Sequence, residues 1–378
     1  MSKAVLVIHG DSQFGFMDGV AAELAEGFHA LGHPAVAKHL LDKDLGATVD
    51  GAVREAGVGM VVLMNGAGLE PALKSFQDFL EALKVPVVAY FIDHPVYQLP
   101  RIVSPLSRLI VTTTCSHDRA FIYAHIRDDV RVETLHHGAT PVPDIVVRPW
   151  AERTIDVLVP STLSCLPEVE RAAWRERYGP VVAALLNATV QVHDSAPEQP
   201  LQDAIRYVLG DRGVSLSEMT LYYMVVDFYL RARAKLDSVR ALLGQGVAVT
   251  VLSSGWPDDL GGPITRLPAV PVAEGWALMG RSKIVLNHLP GYFESHERPL
   301  QAAVCGAAAA STPSAWVARV TAGQAIALPV SAQEGAAAVA AALADPALPE
   351  RAARGRAAVV AGQMWRDRVG EMAAYRPL

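Results

Sequence analysis

The feature that most constrains this chain is a regular alternation of short β-branched runs with helical periods. "AVLVIHG" (Ala4 to Gly10), "GMVVLMNG" (Gly59 to Gly66), "VPVVAYFID" (Val85 to Asp93) and "RLIVTTT" (Arg108 to Thr114) each end in turn residues. Between them, apolar residues recur at helical spacing, as in Val20, Leu24, Phe28 and Leu31, then Leu73, Phe76, Phe79 and Leu83. Parallel strands cannot be joined by tight turns, and right-handed crossovers place helices on both faces of the sheet. The first half therefore reads as a doubly wound α/β domain.

The pattern restarts after "LHHGATPVPDIVVRPWAERT" (Leu135 to Thr154), whose three prolines and sparse apolar spacing suit a linker. "IDVLVPST" (Ile155 to Thr162) opens a second set, followed by "ATVQVH" (Ala188 to His193), "GVAVTVLSSG" (Gly246 to Gly255), "SKIVLN" (Ser282 to Asn287), "AAAAS" (Ala307 to Ser311) and "AIALP" (Ala325 to Pro329). All six read as strands of a second sheet. A chain of 378 residues exceeds one ordinary core, and 51% hydrophobic against 19% charged residues can fill two. The expected domains are 1–145 and 154–361, with a last helix over 362–378 crossing back to the first.

A net charge of −6 supplies no general attraction for phosphate backbones, so nucleic acid is not an expected partner. No segment approaches the ~20 apolar residues of a membrane span, and the apolar run Ala4 to Ile8 is too short for a secretion signal. The expectation is a cytoplasmic protein. Cys115, Cys165 and Cys305 are far apart and lack zinc-ligand spacing, so they read as reduced packing residues.

Two S-x-x-E patterns, Ser215 with Glu218 and Ser331 with Glu334, mark helix starts. The first opens a long helix, expected from about Ser217 to Leu243, whose Tyr222, Tyr223, Phe228 and Tyr229 read as packing. A third start lies in "SHERPLQAAVCGAAAAS" (Ser295 to Ser311), where Pro299 suits the first helical position and Gly306 the end. His296, Glu297 and Arg298 thus sit at a helix N-terminus, where unpaired N–H groups and the positive dipole end favour an anion such as a diphosphate. Arg298 can clamp such a group, and Glu297 can accept hydrogen bonds from a ribose.

The run "SKIVLNHLPGYFESHERPLQAAVCGAAAAS" resembles the donor-binding signature of GT-B glycosyltransferases, particularly the spore-maturation-protein-like family. Ser282 to Asn287 resemble its strand, His296 and Arg298 its polar pair, and Gly306 the glycine after its helix. "RTIDVLVPSTLS" (Arg153 to Ser164), "VTVLSSGW" (Val249 to Trp256) and "FIDHP" (Phe91 to Pro95) are similar to further stretches of that family. Gln301 stands where the family has a glutamate, and "QMWRDR" (Gln363 to Arg368) lacks the family's tail histidine.

The resemblance implies a GT-B fold, two Rossmann-like domains facing a central cleft, with the acceptor on the first and a nucleotide-diphosphate sugar on the second. It implies a metal-independent glycosyltransferase that moves a sugar to a hydroxyl acceptor, with no tightly bound cofactor. Implied donor contacts are Ser161, Thr162, Ser254, Gly255, Trp256, Asn287, His296, Glu297 and Arg298. An inverting transfer needs a base in the first domain. His9 and Asp11 follow the first strand, and Asp93 and His94 follow a later one; both pairs are candidates, with Asp93 favoured. A retaining transfer needs no such base. The competing readings are a nucleotide-sugar epimerase on the same fold and a degenerate transferase kept as a binding or scaffold protein.

Overall fold

A computed structural model describes residues 2–12, 15–55, 57–210, 214–290 and 294–375. Residues 291–293 of the donor-like run and 376–378 of the expected last helix lie outside the described residues. The chain divides into two compact units, Met1–Pro141 with Ala361–Leu378, and Val142–Val360.

In the first unit, strands β1 (Ala4–His9), β2 (Ala35–His39), β3 (Val58–Met64), β4 (Val87–Tyr90), β5 (Leu109–Thr113) and β6 (Arg131–Thr134) form one sheet. Its order is β2-β1-β3-β4-β5-β6, and every pairing is parallel. Helices α1 (Phe16–Ala30), α2 (Leu45–Glu55), α3 (Lys74–Leu83), α4 (Leu99–Ile102) and α5 (Ser116–Phe121) make the connections. Side chains alternate across a strand, so β1 feeds two cores. Val5 and Val7 pack with Val20, Leu24 and Phe28 of α1, whereas Leu6 and Ile8 join Leu63, Leu80 and Val87 on the opposite face.

The second unit repeats the plan. Strands β7 (Ile155–Pro160), β8 (Val249–Leu252), β9 (Ile264–Leu267), β10 (Ser282–Asn287), β11 (Ala308–Ser311) and β12 (Ile326–Ala327) make an all-parallel sheet of order β12-β11-β10-β7-β8-β9. Its helices are α6 (Pro167–Ser195), α7 (Leu201–Leu209), α8 (Leu216–Gly244), α9 (Val272–Gly280), α10 (Glu297–Val304), α11 (Ala315–Val320), α12 (Ala332–Ala344) and α13 (Leu348–Val360). The last helix, α14 (Trp365–Ala373), belongs to the first unit, where Trp365, Val369 and Met372 share the core of α1. Gly27 makes that docking possible, because a Cβ there would lie 2.7 Å from the Arg366 carbonyl oxygen.

Three sequence expectations need correction. "ATVQVH" is not a strand; it is the last stretch of α6, in which Ala183, Leu186, Val190 and His193 are buried at helical spacing. Six residues rich in β-branched side chains imitate a strand when the preceding turns are left out of the window. Pro299 is the third residue of α10 and not the first, since the N-cap is His296, whose Nδ1 accepts the Arg298 N–H at 3.2 Å. Phe228 is 40% exposed, unlike its buried neighbours Tyr222, Tyr223 and Tyr229.

The start of α8 has the full capping box: Ser215 Oγ accepts from Glu218 N at 3.2 Å, and Glu218 Oε2 accepts from Ser215 N at 3.0 Å. Ser215→Ala should lower stability by about 1 kcal/mol in a denaturant titration, the usual loss for an N-cap.

Candidate functional site

In open parallel sheets, loops at the strand C-termini meet the ligand. In the second unit these loops are tied together. Trp256 Nε1 donates to Ser161 O at 3.1 Å, Leu163 N donates to Ser254 O at 3.1 Å, and Thr162 Oγ1 lies 2.7 Å from Ser253 Oγ. Gly255 has φ +88°, and a Cβ there would meet the Leu163 carbonyl oxygen at 1.8 Å. Only glycine lets the loops after β7 and β8 approach this closely. Trp256 is buried in the core with its N–H already engaged, so the loop backbone and hydroxyls, and not the indole face, are left for a ligand.

The loops after β10 and β11 form a second brace. Asn287 is buried; its Nδ2 donates to Ser311 Oγ at 3.2 Å, and its Oδ1 accepts from Arg298 Nη1 at 2.9 Å. That bond fixes the guanidinium of Arg298 at the start of α10. Glu297 Oε2 lies 3.4 Å from His296 Nδ1. Gln301, in contrast, is buried one turn further on, with its Nε2 3.8 Å from Cys305 Sγ.

Lys235 of α8, absent from the sequence-derived candidates, joins this group. Its Nζ donates to Thr162 O at 3.2 Å. Burial, with the neighbouring guanidinium groups of Arg298 and Arg231, pushes its pKa down to about 8. A lysine strained in this way is relieved by a bound anion. For the free protein, a folded pKa below the ordinary value of 10.5 means that this group destabilises below about pH 8. That penalty fades as pH rises toward the unfolded value. No local pattern marks Lys235 in the sequence, because it lies mid-helix and reaches the site only through the packing of α8 on the sheet.

In the first unit the two candidate pairs separate. His9 is buried at the end of β1, its Nδ1 3.4 Å from Asp18 Oδ1 and its ring 5.2 Å edge-on from that of His39. Asp11 is exposed, with Oδ1 3.2 Å from His39 Nε2. Asp93 and His94 follow β4, two sheet positions from β1 and so about 10 Å away across the sheet. His94 is buried: Nδ1 accepts from Val96 N at 3.2 Å, Nε2 lies 3.6 Å from Asp118 Oδ1, and its ring packs on Phe121 at 4.8 Å. This is the geometry of a cap and a packed ring. His288 is bonded to Ser238 Oγ at 2.6 Å, with burial pushing its pKa down to about 4. His137 is buried 6.1 Å from the ring of Trp365.

Residues 231–374 match a family model described as glycosyl transferase-like. No curated protein matches the sequence. Similar solved structures span nearly the whole chain. An α-glucosyltransferase in complex with UDP and a 13-mer DNA containing a HMU base has a TM-score of 0.57 at 10% identity, covering 99% of both chains. The sucrose-phosphate synthase of Thermosynechococcus elongatus has 0.54 at 11%, covering 98% of both. The Anabaena protein HepE in complex with UDP-glucose has 0.52 at 10%, covering 98% of this chain and 99% of that one.

The fold is GT-B. Within this GT-B chain, the family match takes in Lys235, Asn287 and Arg298, but not Ser161 or Thr162. Among the described residues no group of three or more His, Cys, Asp or Glu is arranged to hold a metal ion, and no helix is long and apolar enough to cross a membrane.

Proposed function

We propose that the second unit binds a nucleotide-diphosphate sugar and that the protein transfers its glycosyl group to a hydroxyl acceptor held by the first unit. We infer that it stands among the spore-maturation-protein-like transferases, whose donor-binding motif the stretch from Ser282 to Ser311 resembles. What carries the reading is one cluster: the α10 N-terminus, Arg298 braced on Asn287, and Lys235 with its lowered pKa, all near the ends of β7 and β10. When the bond from the anomeric carbon to the diphosphate breaks, charge grows on the leaving oxygen. Two cations and the helix end stabilise it without a divalent ion. Ser161, Thr162, Ser254 and Gly255 are proposed to meet the nucleotide, and Glu297 its ribose.

If transfer inverts, Asp11 takes the acceptor proton while the acceptor oxygen bonds to the anomeric carbon. What supports Asp11 is its exposed carboxylate beside His39, against the half-buried position of Asp93 and the buried cap that His94 forms.

Calorimetry with UDP, GDP and ADP tests the donor site; failure of all three to bind in the micromolar range would favour a scaffold role. Incubation with UDP-glucose alone should give slow hydrolysis, whereas an isomer would favour an epimerase. UDP affinity should fall several-fold between about pH 7 and about pH 9 as Lys235 loses its proton. Lys235→Met should flatten that dependence, and an unchanged slope would remove Lys235 from the site.

A further inference from the structure

A cavity of about 270 Å³ lies at the C-terminal ends of β1, β2 and β3 in the first unit, lined among others by Asp11, His39, Met64, Asn65, Glu70 and Arg101. That volume is just below the range usual for drug-sized ligands, about 300–1,000 Å³, so the occupant is small. We propose that this cavity binds a neutral polyhydroxylated molecule, a single sugar or cyclitol ring, with Asp11 as its main hydrogen-bond acceptor and His39 positioning Asp11. That the ligand is the glycosyl acceptor rests on the transfer reading above; the binding site does not.

The charges argue against an anionic ligand. Arg101 is committed on every side: Nε and Nη2 to Glu70 Oε1 at 2.9 and 2.6 Å, and Nη1 to Asn65 O and Gln98 Oε1, both at 2.8 Å. Glu70 Oε2 is held in turn by Gly68 N at 2.9 Å. The wall is rigid and internally neutralised, so it offers no spare cation to a phosphate or carboxylate.

What it does offer suits hydroxyl groups. His39 Nδ1 accepts from Leu41 N at 3.1 Å, so in the neutral ring the proton sits on Nε2 and points to Asp11. One carboxylate oxygen of Asp11 is thereby fixed, and the other is free to accept from an incoming hydroxyl. Asn65 stands at φ +49° directly after β3, with its Oδ1 taken by Ile92 N at 3.1 Å. Its amide nitrogen bonds to no protein group among the described residues and supplies a donor. Met17, Met64 and Leu40 line the remainder and suit the C–H face of a ring.

Ligand-observed NMR and titration with D-glucose, myo-inositol and glucose 6-phosphate test this on the full chain. The neutral probes should bind in the millimolar range and the phosphate more weakly. Asp11→Asn should weaken glucose binding about fivefold, the loss expected for a charge-assisted hydrogen bond open to solvent. His39→Gln retains a donor near the Nε2 position and should keep near wild-type affinity. His39→Asn retains only the acceptor for Leu41 N and should behave like Asp11→Asn. The reverse order would mean that His39 merely caps its loop, overturning the positioning role. Tighter binding of the phosphate, or no binding of either neutral probe, would overturn the site itself. Circular dichroism of the same samples checks folding, and their UDP binding separates the two readings. UDP without sugar binding removes the cavity and leaves the donor site; sugar without UDP binding keeps the cavity and removes the transferase reading.

Discussion

Arg298→Ala should weaken UDP binding about tenfold to a hundredfold. A hydrogen bond to a charged group contributes about 1.5–3 kcal/mol, and each 1.4 kcal/mol is a factor of ten. The upper part of that range is expected because Arg298 is held in place by Asn287 before a ligand arrives, so little side-chain entropy is lost on binding. Arg298→Lys should recover only part of the affinity, since an ammonium cannot reproduce the planar fork. The fold should survive, because Asn287 keeps its bond to Ser311 and the carbonyl of Asn287 keeps the N–H of Thr312 at 3.1 Å. Calorimetry beside a thermal melt makes the comparison. Unchanged affinity in a folded variant would remove Arg298 from the site.

Trp365→Ala should destabilise the first unit by about 3–5 kcal/mol, the usual loss when a buried aromatic is truncated to alanine. Trp365 is fully buried, and its ring meets those of Tyr90 at 5.9 Å, His137 at 6.1 Å and Phe16 at 6.5 Å. Its backbone N–H also donates to Ala139 O at 3.0 Å, joining the tail to the segment after β6. In a chain of two units a single melting temperature blends both, so amide exchange is the better measurement. Protection should fall in β1 and α1 and stay unchanged in β7 and β10. Equal loss in both units would show that the effect is not local to the tail.

Much of the architecture was legible because it rests on period. Central strands such as "VLVI" and "IVLN", buried on both faces, read as nearly continuous apolar runs, and α8 carried its start in Ser215 and Glu218. Of the four edge strands, only β12, within "AIALP", was legible. β2, β6 and β9 each border solvent, and "VAKH", "RVET" and "ITRL" mix charge into the alternation until the signal is lost. In the candidate site, the loop and helix-start positions proposed for the donor could be named from motifs. Lys235 and His39 could not, because each reaches its partner through tertiary packing: Lys235 meets Thr162 across 73 residues, and His39 meets Asp11 only because β2 lies beside β1.

The return of α14 to the first unit also sets an order of events in the living cell. Synthesis runs from the N-terminus, and domains generally begin folding as they emerge. Here the first unit cannot close its hydrophobic interior until the ribosome has delivered Trp365, Val369 and Met372, after every strand of the second unit has been made. The nascent chain therefore carries an unfinished apolar surface along α1 while the whole of the second unit is being made, and the first unit is completed only after it.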